Sequence, residues 1–200
     1  MLYDIFNPTE YGEMREYLLN LMIKKAFKQT SEPTFKLSCD KMSCFYVNCR
    51  EIVMQPKAMQ FIGALMLKSV TGSNATAIGG LTFGADPIAC STALISGLYH
   101  GAYREVPLLE AFSIRKELKN HGVIKWVEGA VKEGDEVIVI DDVCTTGGST
   151  IKAIERAEIM GLKVVGVRIL IDRQEMDGMN NIRKHAPDVQ AIFTIEDLLS

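Results

Sequence analysis

Residues 136–150 constrain the fold more tightly than any other stretch of the chain; they read Glu-Val-Ile-Val-Ile-Asp-Asp-Val-Cys-Thr-Thr-Gly-Gly-Ser-Thr. Val137, Ile138, Val139 and Ile140 leave no polar position for a watered face, so a strand built from them has both faces covered. Residues 164–171 have the same character, with Arg168 as the only charge. Two such strands imply a central, mostly parallel sheet flanked by helices, an α/β fold. In sheets of that kind, ligands bind at the carboxyl ends of the strands.

The remaining chain alternates accordingly. Tyr11, Met14, Leu18, Leu21 and Met22 recur at helical spacing and predict a helix over 11–25, with Thr9 as its cap after Pro8. From 28 to 50 the helical period is lost, and Phe45-Tyr46-Val47 reads as a strand. Pro56 opens a helix to about residue 68, since proline suits the first helical turn. Strands are expected over 75–83, 107–114, 136–143, 163–172 and 191–194, and helices over 87–99, 149–160 and 195–199. No repeat or linker divides the chain, so residues 1–200 are read as one domain, with residues 1 to about 50 forming a small cap over the sheet.

Charge and composition exclude several functions. With 22 Lys and Arg against 25 Asp and Glu, the net charge is −3, whereas a nucleic-acid surface needs clustered basic excess. No apolar run approaches the ~18 residues of a membrane span. The amino terminus lacks the basic and apolar regions of a signal peptide, so a cytoplasmic location is expected. Cys39, Cys44, Cys49, Cys90 and Cys144 are an odd set without Cys-x-x-Cys spacing, which favours free, packed thiols over a disulfide framework or a metal site.

Asp141 to Ser149 carry the chemistry. A buried strand ends in two acids and enters a Thr/Gly loop that opens a helix. Gly147 and Gly148 let the backbone approach an anion closely, and the amides of a helix start present donors and a positive dipole end to a phosphate. Thr145, Thr146 and Ser149 add hydroxyl donors. Asp141 and Asp142 would repel that phosphate, so they face ribose hydroxyls or a cation, ribose being the better reading. No Lys follows the glycines as in a Walker loop, and Gly-x-Gly-x-x-Gly is absent.

This stretch resembles the phosphoribosyl diphosphate (PRPP) motif of type I phosphoribosyltransferases. The resemblance implies that Asp141 and Asp142 contact the ribose 2′ and 3′ hydroxyls and that Thr145, Thr146, Gly147, Gly148 and Ser149 hold the 5′-phosphate. Residues 115–122, Arg-Lys-Glu-Leu-Lys-Asn-His-Gly, resemble the catalytic loop of the orotate phosphoribosyltransferases. Arg115, Lys116, Lys119 and His121 can surround a diphosphate leaving group and neutralise charge as the C1–O bond breaks, and His121 can shuttle a proton. On its own such a run would be a solvated surface loop.

Three further stretches extend the resemblance over nearly the whole chain. Residues 79–87 are similar to the diphosphate loop, implying roles for Thr82, Phe83 and Gly84 and a non-proline cis peptide near Thr82-Phe83. Asp172-Arg173-Gln174-Glu175 is similar to the segment whose arginine pairs with orotate, a task that suits a guanidinium. Residues 35–46 correspond to the hairpin that covers orotate, implying contacts from Phe45 and Tyr46, with Thr145 adding a hydroxyl. Here the chain departs from the family: Cys39-Asp40 and Lys41-Met42 replace a usual Ser-Gly and two basic residues, and Gly84 stands where relatives commonly carry Lys.

The resemblance implies transfer of phosphoribose from PRPP to orotate, giving orotidine 5′-monophosphate and diphosphate, with Mg²⁺ held by substrate oxygens and no protein metal ligand assigned. It also implies a homodimer that shares the 115–122 loop between subunits, and neither nucleic acid nor membrane as a partner. Two rivals keep the PRPP motif. A purine phosphoribosyltransferase has no need for the 115–122 loop or Arg173, and a non-catalytic PRPP-sensing regulator would lose the loop cations and gain a nucleic-acid surface.

Overall fold

The computed structural model describes residues 4–37, 40–103, 106–117 and 125–199. In chain order, α1 (Pro8–Lys25) is followed by four short strands, β1 (Phe27–Gln29), β2 (Phe35–Lys36), β3 (Met42–Ser43) and β4 (Phe45–Val47). After them come α2 (Pro56–Val70), β5 (Ala77–Leu81), α3 (Asp86–Tyr99), β6 (Glu110–Ile114) and β7 (Val127–Gly129). The chain closes with β8 (Glu136–Cys144), α4 (Gly148–Ile159), β9 (Lys163–Asp172), α5 (Gly178–Arg183), β10 (Val189–Thr194) and α6 (Ile195–Leu199).

A six-stranded sheet runs in the order β10-β9-β8-β5-β6-β7. Every pairing is parallel except that of the edge strand β7 with β6. Alternate residues of β8 separate two cores. Ile138 and Ile140 join α1, α2, α3 and α6, whereas Val137 and Val139 join α4 and α5. The sheet is thus covered on both faces, which is why β8 and β9 carry no polar alternation.

Element boundaries differ from the sequence reading where side chains decide them. Asn7, not Thr9, caps α1: its Oδ1 accepts from Thr9 N at 2.9 Å, and Pro8 takes the first helical position. That helix starts three residues before the apolar period does. The strand expected from 107 begins at Glu110, whose amide donates to Thr76 O at 3.0 Å, while Leu108 stays 55% exposed. Several short elements have no signal in the sequence: β1 and β7 are three residues each, too short for a period, and α5 is six residues with a Gly and two Asn.

Residues 8–47 divide in two. The buried face of α1, Met14, Leu18 and Met22, belongs to the first core. Residues 27–47 instead form two small antiparallel pairs, β1 with β4 and β2 with β3. Stacked rings hold them, Phe27 on Phe45 at 6.0 Å and Phe35 on Tyr46 at 5.4 Å.

Candidate functional site

Strand β8 delivers Asp141 and Asp142 at the carboxyl end of the sheet and then turns into α4 through Thr145, Thr146 and Gly147. Gly147 adopts φ +80°, a left-handed conformation. A Cβ there would meet Gly178 O and Ile182 Cγ1, both at 2.8 Å. The turn is therefore closed against the Gly178 backbone and the Ile182 side chain, with no room for a side chain of its own. Asn181 Nδ2 donates to Thr146 O at 3.2 Å and fixes the turn from the α5 side. A pocket lined by Asp141, Val143 and residues 145–150 opens over the start of α4, where amides without helical acceptors gather.

The two acids differ in surroundings. Asp141 is 6% exposed; its Oδ2 accepts from Thr150 Oγ1 at 2.9 Å and its Oδ1 from Asp142 N at 3.0 Å. Burial, then the charge of Asp142, pushes the Asp141 carboxyl up to about 7. Asp142 accepts from Val143 N at 3.0 Å and lies against the loop after β5, where a Cβ on Gly84 would stand 2.6 Å from Asp142 Oδ1. Glycine at that position gives the carboxylate its place beside the loop.

That loop carries a cis peptide between Thr82 and Phe83, as the resemblance implies. Thr82 N donates to Ile114 O at 2.8 Å. Beside it lies a cavity of about 400 Å³ lined by Thr82, Ser113, Arg115, Lys116, Glu117 and Glu128. Lys116 thus faces the same space as Thr82. Lys119 and His121 lie outside the described residues.

Arg115 is not the open cation that the sequence reading expected. Its Nε and Nη2 donate to Glu128 Oε1 at 3.0 and 2.7 Å, and Lys125 Nζ stands 3.0 Å from Glu128 Oε2. Those hydrogen bonds, with Arg115 first, draw the Glu128 carboxyl down to about 2. Arg156 donates to the Arg115 carbonyl and lies 3.9 Å from the Trp126 ring centre. The root of the 115–122 stretch is therefore pinned to α4 and β7. Glu128 sits 13 residues along the chain, and no motif pointed to it.

Arg173 follows β9, and its amide donates to Cys144 O at 3.0 Å, beside Thr145. Its side chain is 5% exposed. Nη2 donates to Phe45 O at 2.8 Å and to Ser43 Oγ at 3.0 Å, and lies 2.7 Å from Glu175 Oε2. The guanidinium thus ties the β3–β4 segment to the end of β9. Phe45 contributes its carbonyl to that tie, and Tyr46 is 40% exposed on the neighbouring position. Ser43, Glu175 and Asn181 escaped the sequence reading because their role depends on segments about 130 and 35 residues apart meeting in space.

Of the thiols, Cys49 and Cys144 are packed in the interior, Cys44 is half-buried and Cys90 is exposed. Among the described residues Cys44, Cys49, Cys90 and Cys144 are free, and burial raises the Cys144 thiol to about 12 and the Cys49 thiol well above its usual value. No helix among the described residues is long and apolar enough to cross a membrane.

No family model matches the chain. It is 38% identical over 185 residues to the orotate phosphoribosyltransferase of Aquifex aeolicus (strain VF5), covering 92% of this chain and 97% of that one. It is 36% identical over 197 residues to the orotate phosphoribosyltransferase of Nostoc sp. (strain PCC 7120), covering 98% and 90%. The fold matches that of Mycobacterium tuberculosis orotate phosphoribosyltransferase in complex with PRPP, with a TM-score of 0.69, 26% identity, and coverage of 94% of this chain and 99% of that one.

Proposed function

The chain belongs to the orotate phosphoribosyltransferase family, and from that premise we propose that it transfers phosphoribose from PRPP to orotate, releasing diphosphate and orotidine 5′-monophosphate. The observation that carries this reading is the junction at the end of β8, where the Asp141 carboxylate and an open helix start share one pocket and the next residue, Asp142, lies against the loop at Gly84. It suits a ligand with a sugar diol on one side and a phosphate on the other.

Thr145, Thr146, Gly147, Gly148 and Ser149 hold the 5′-phosphate, with Asn181 keeping the turn in shape. Asp141 and Asp142 accept from the ribose hydroxyls. The loop at Thr82, Phe83 and Gly84, with the cavity that also bears Lys116, takes the diphosphate. Orotate N1 displaces diphosphate at ribose C1 through an oxocarbenium-like state, so the protein supplies position and charge and no covalent nucleophile. Mg²⁺ would arrive with the substrate, held mainly by its oxygens and water, and would neutralise the leaving group; Asp142, which lies beside the diphosphate loop, is the carboxylate that would face it.

At the base end, Phe45, Tyr46, Thr145 and Arg173 surround orotate, and residues 27–47 act as the cap within a single domain. Lys119 and His121 complete the cations around the leaving group, while Arg115, held by Glu128, anchors their loop. The family reading adds a homodimer whose 115–122 loops reach the partner's site, and a cytoplasmic location. Incubation with PRPP, Mg²⁺ and, separately, orotate, uracil, hypoxanthine or adenine tests the function: diphosphate release with orotate alone supports it, and preference for a purine overturns the base assignment. Mixing Lys119→Ala with Asp142→Asn tests the shared loop, because heterodimers regain one intact site.

A further inference from the structure

Arg173 carries an internal counter-ion in an unfinished arrangement. Both hydrogens of Nη2 are taken by Ser43 Oγ and Phe45 O. Glu175 Oε2 lies 2.7 Å from that nitrogen, yet it accepts no hydrogen bond, and Arg173 Nε, also shielded from solvent, donates none. Glu175 therefore balances the guanidinium by charge without filling its donors. A buried donor and a buried acceptor left open within one ion pair are rare in native proteins and call for a reason.

We propose that Glu175 sets base specificity by exchange: its carboxylate holds the place on Arg173 that a substrate carboxylate takes, and only a base bearing its own carboxylate displaces it. The proposal rests on the reading of Arg173 as the base-site arginine. The geometry supports exchange in three ways. Arg173 Nε is an unused donor next to Nη2, and an arriving carboxylate can satisfy it. Glu175 has somewhere to go, since its side chain is already 23% exposed. Its other oxygen keeps a tether through the 2.7 Å bond from Ser43 Oγ, so the movement is a swing and not a loss.

Charge makes the exchange selective. Withdrawing an anion from a guanidinium that is 5% exposed leaves a buried charge unpaired, which is strongly unfavourable. A neutral base such as uracil offers nothing in return, so Glu175 stays and the site remains closed to it. Orotate brings a carboxylate, and both open atoms change partners, Nε to the substrate and Oε2 to water.

Glu175→Gln tests this with steady-state kinetics in which each substrate is varied in turn while the other is saturating. Glutamine keeps the size and the Ser43 contact and removes the competing charge. The expected result is an orotate KM lowered about three- to tenfold, a PRPP KM unchanged, and a larger ratio of orotate to uracil kcat/KM. An orotate KM that stays the same or rises overturns the proposal and leaves Glu175 as a brace. If the glutamine variant does not fold, Glu175→Asp, which withdraws the carboxylate by one methylene, is expected to shift orotate KM in the same direction by a smaller factor, and the opposite shift overturns the idea equally. Arg173→Ala, measured alongside, separates the two levels: unchanged orotate kcat/KM there removes Arg173 from the base site altogether, whereas a large loss there with no gain in Glu175→Gln removes only the exchange.

Discussion

The two ends of the site are made in opposite ways. At the phosphate end nine consecutive residues, 141–149, supply the acids, the turn and the helix start, and backbone packing against Gly178 sets the shape. At the base end Ser43 and Phe45 meet Arg173 and Glu175 across about 130 residues of sequence, and side chains make the joint. A site shaped by backbone contacts admits few substitutions without losing its ligand. One assembled from side chains can be retuned residue by residue, and the departures at Cys39-Asp40 and Lys41-Met42 fall at that end.

The sharpest way to break this contrast is Gly147→Val. The new side chain would need a left-handed backbone and would meet Gly178 O and Ile182 Cγ1 at 2.8 Å. Loss of PRPP affinity by about a hundredfold or more is expected, because the amide cradle cannot keep its form. Calorimetric titration with PRPP and Mg²⁺, on protein shown to be folded by circular dichroism, measures it. A folded variant with wild-type affinity would mean that the phosphate site is not backbone-built.

At the other end Arg173→Ala should raise orotate KM by roughly ten- to hundredfold, the equivalent of ~1.5–3 kcal/mol for a charge-assisted pair in a sheltered site. PRPP KM should stay within a fewfold of wild type. Arg173 also holds Phe45 and Ser43, so Arg173→Lys is the useful companion: it keeps charge but loses the planar fork, and an intermediate orotate KM is expected. Equal losses for both substrates in either variant would join the two ends into one unit.

The same contrast explains what could be read from the chain. Residues 136–150 announce strand, acids, turn and helix in one contiguous string, so element order and phosphate end were both visible. The bounds 163–172 agree with β9 because its buried run ends in a charge at each side. Asn7 went unread as a cap because the apolar period begins only at Tyr11. The Arg115 pair was hidden for another reason: Glu128 lies on a three-residue edge strand that carries no period, and a cation-rich string does not reveal which of its members is already neutralised. Ser43 and Glu175 look like ordinary polar residues until the hairpin is folded onto the sheet.

A pH experiment sharpens the comparison within the phosphate end. The Asp141 carboxyl is held near 7 in the fold by burial and by Asp142, above the usual value of 3.8. A group raised on folding gives its full contribution below the unfolded value, and that contribution is lost as pH rises through the folded value. The ligand-free protein should therefore be less stable at pH 8 than at pH 5, by about 2 kcal/mol from this group, and Asp141→Asn should flatten that slope in urea titrations. Ribose hydroxyls favour the ionised carboxylate, so PRPP affinity should instead rise over the same interval. A pH-independent difference between wild type and Asp141→Asn would show that Asp141 is ionised throughout.

The smallest effect expected comes from Ser43→Ala, and it probes whether the ends are independent. Ser43 is 3% exposed. Its hydroxyl donates to Glu175 Oε1 at 2.7 Å and accepts from Phe45 N and Arg173 Nη2, both at 3.0 Å. Alanine removes the hydroxyl and leaves these groups partly unpaired, but it creates little space, and Arg173 Nη2 keeps Phe45 O. A stability loss of about 1 kcal/mol in urea unfolding is expected, near the net worth of one buried hydrogen-bonding group. PRPP KM should not change, because no hydroxyl contact of Ser43 reaches residues 141–149. A shift in PRPP KM comparable to that for orotate would show that the hairpin also shapes the phosphate turn, and the contrast between a backbone-built end and a side-chain-built end would then describe one cooperative site.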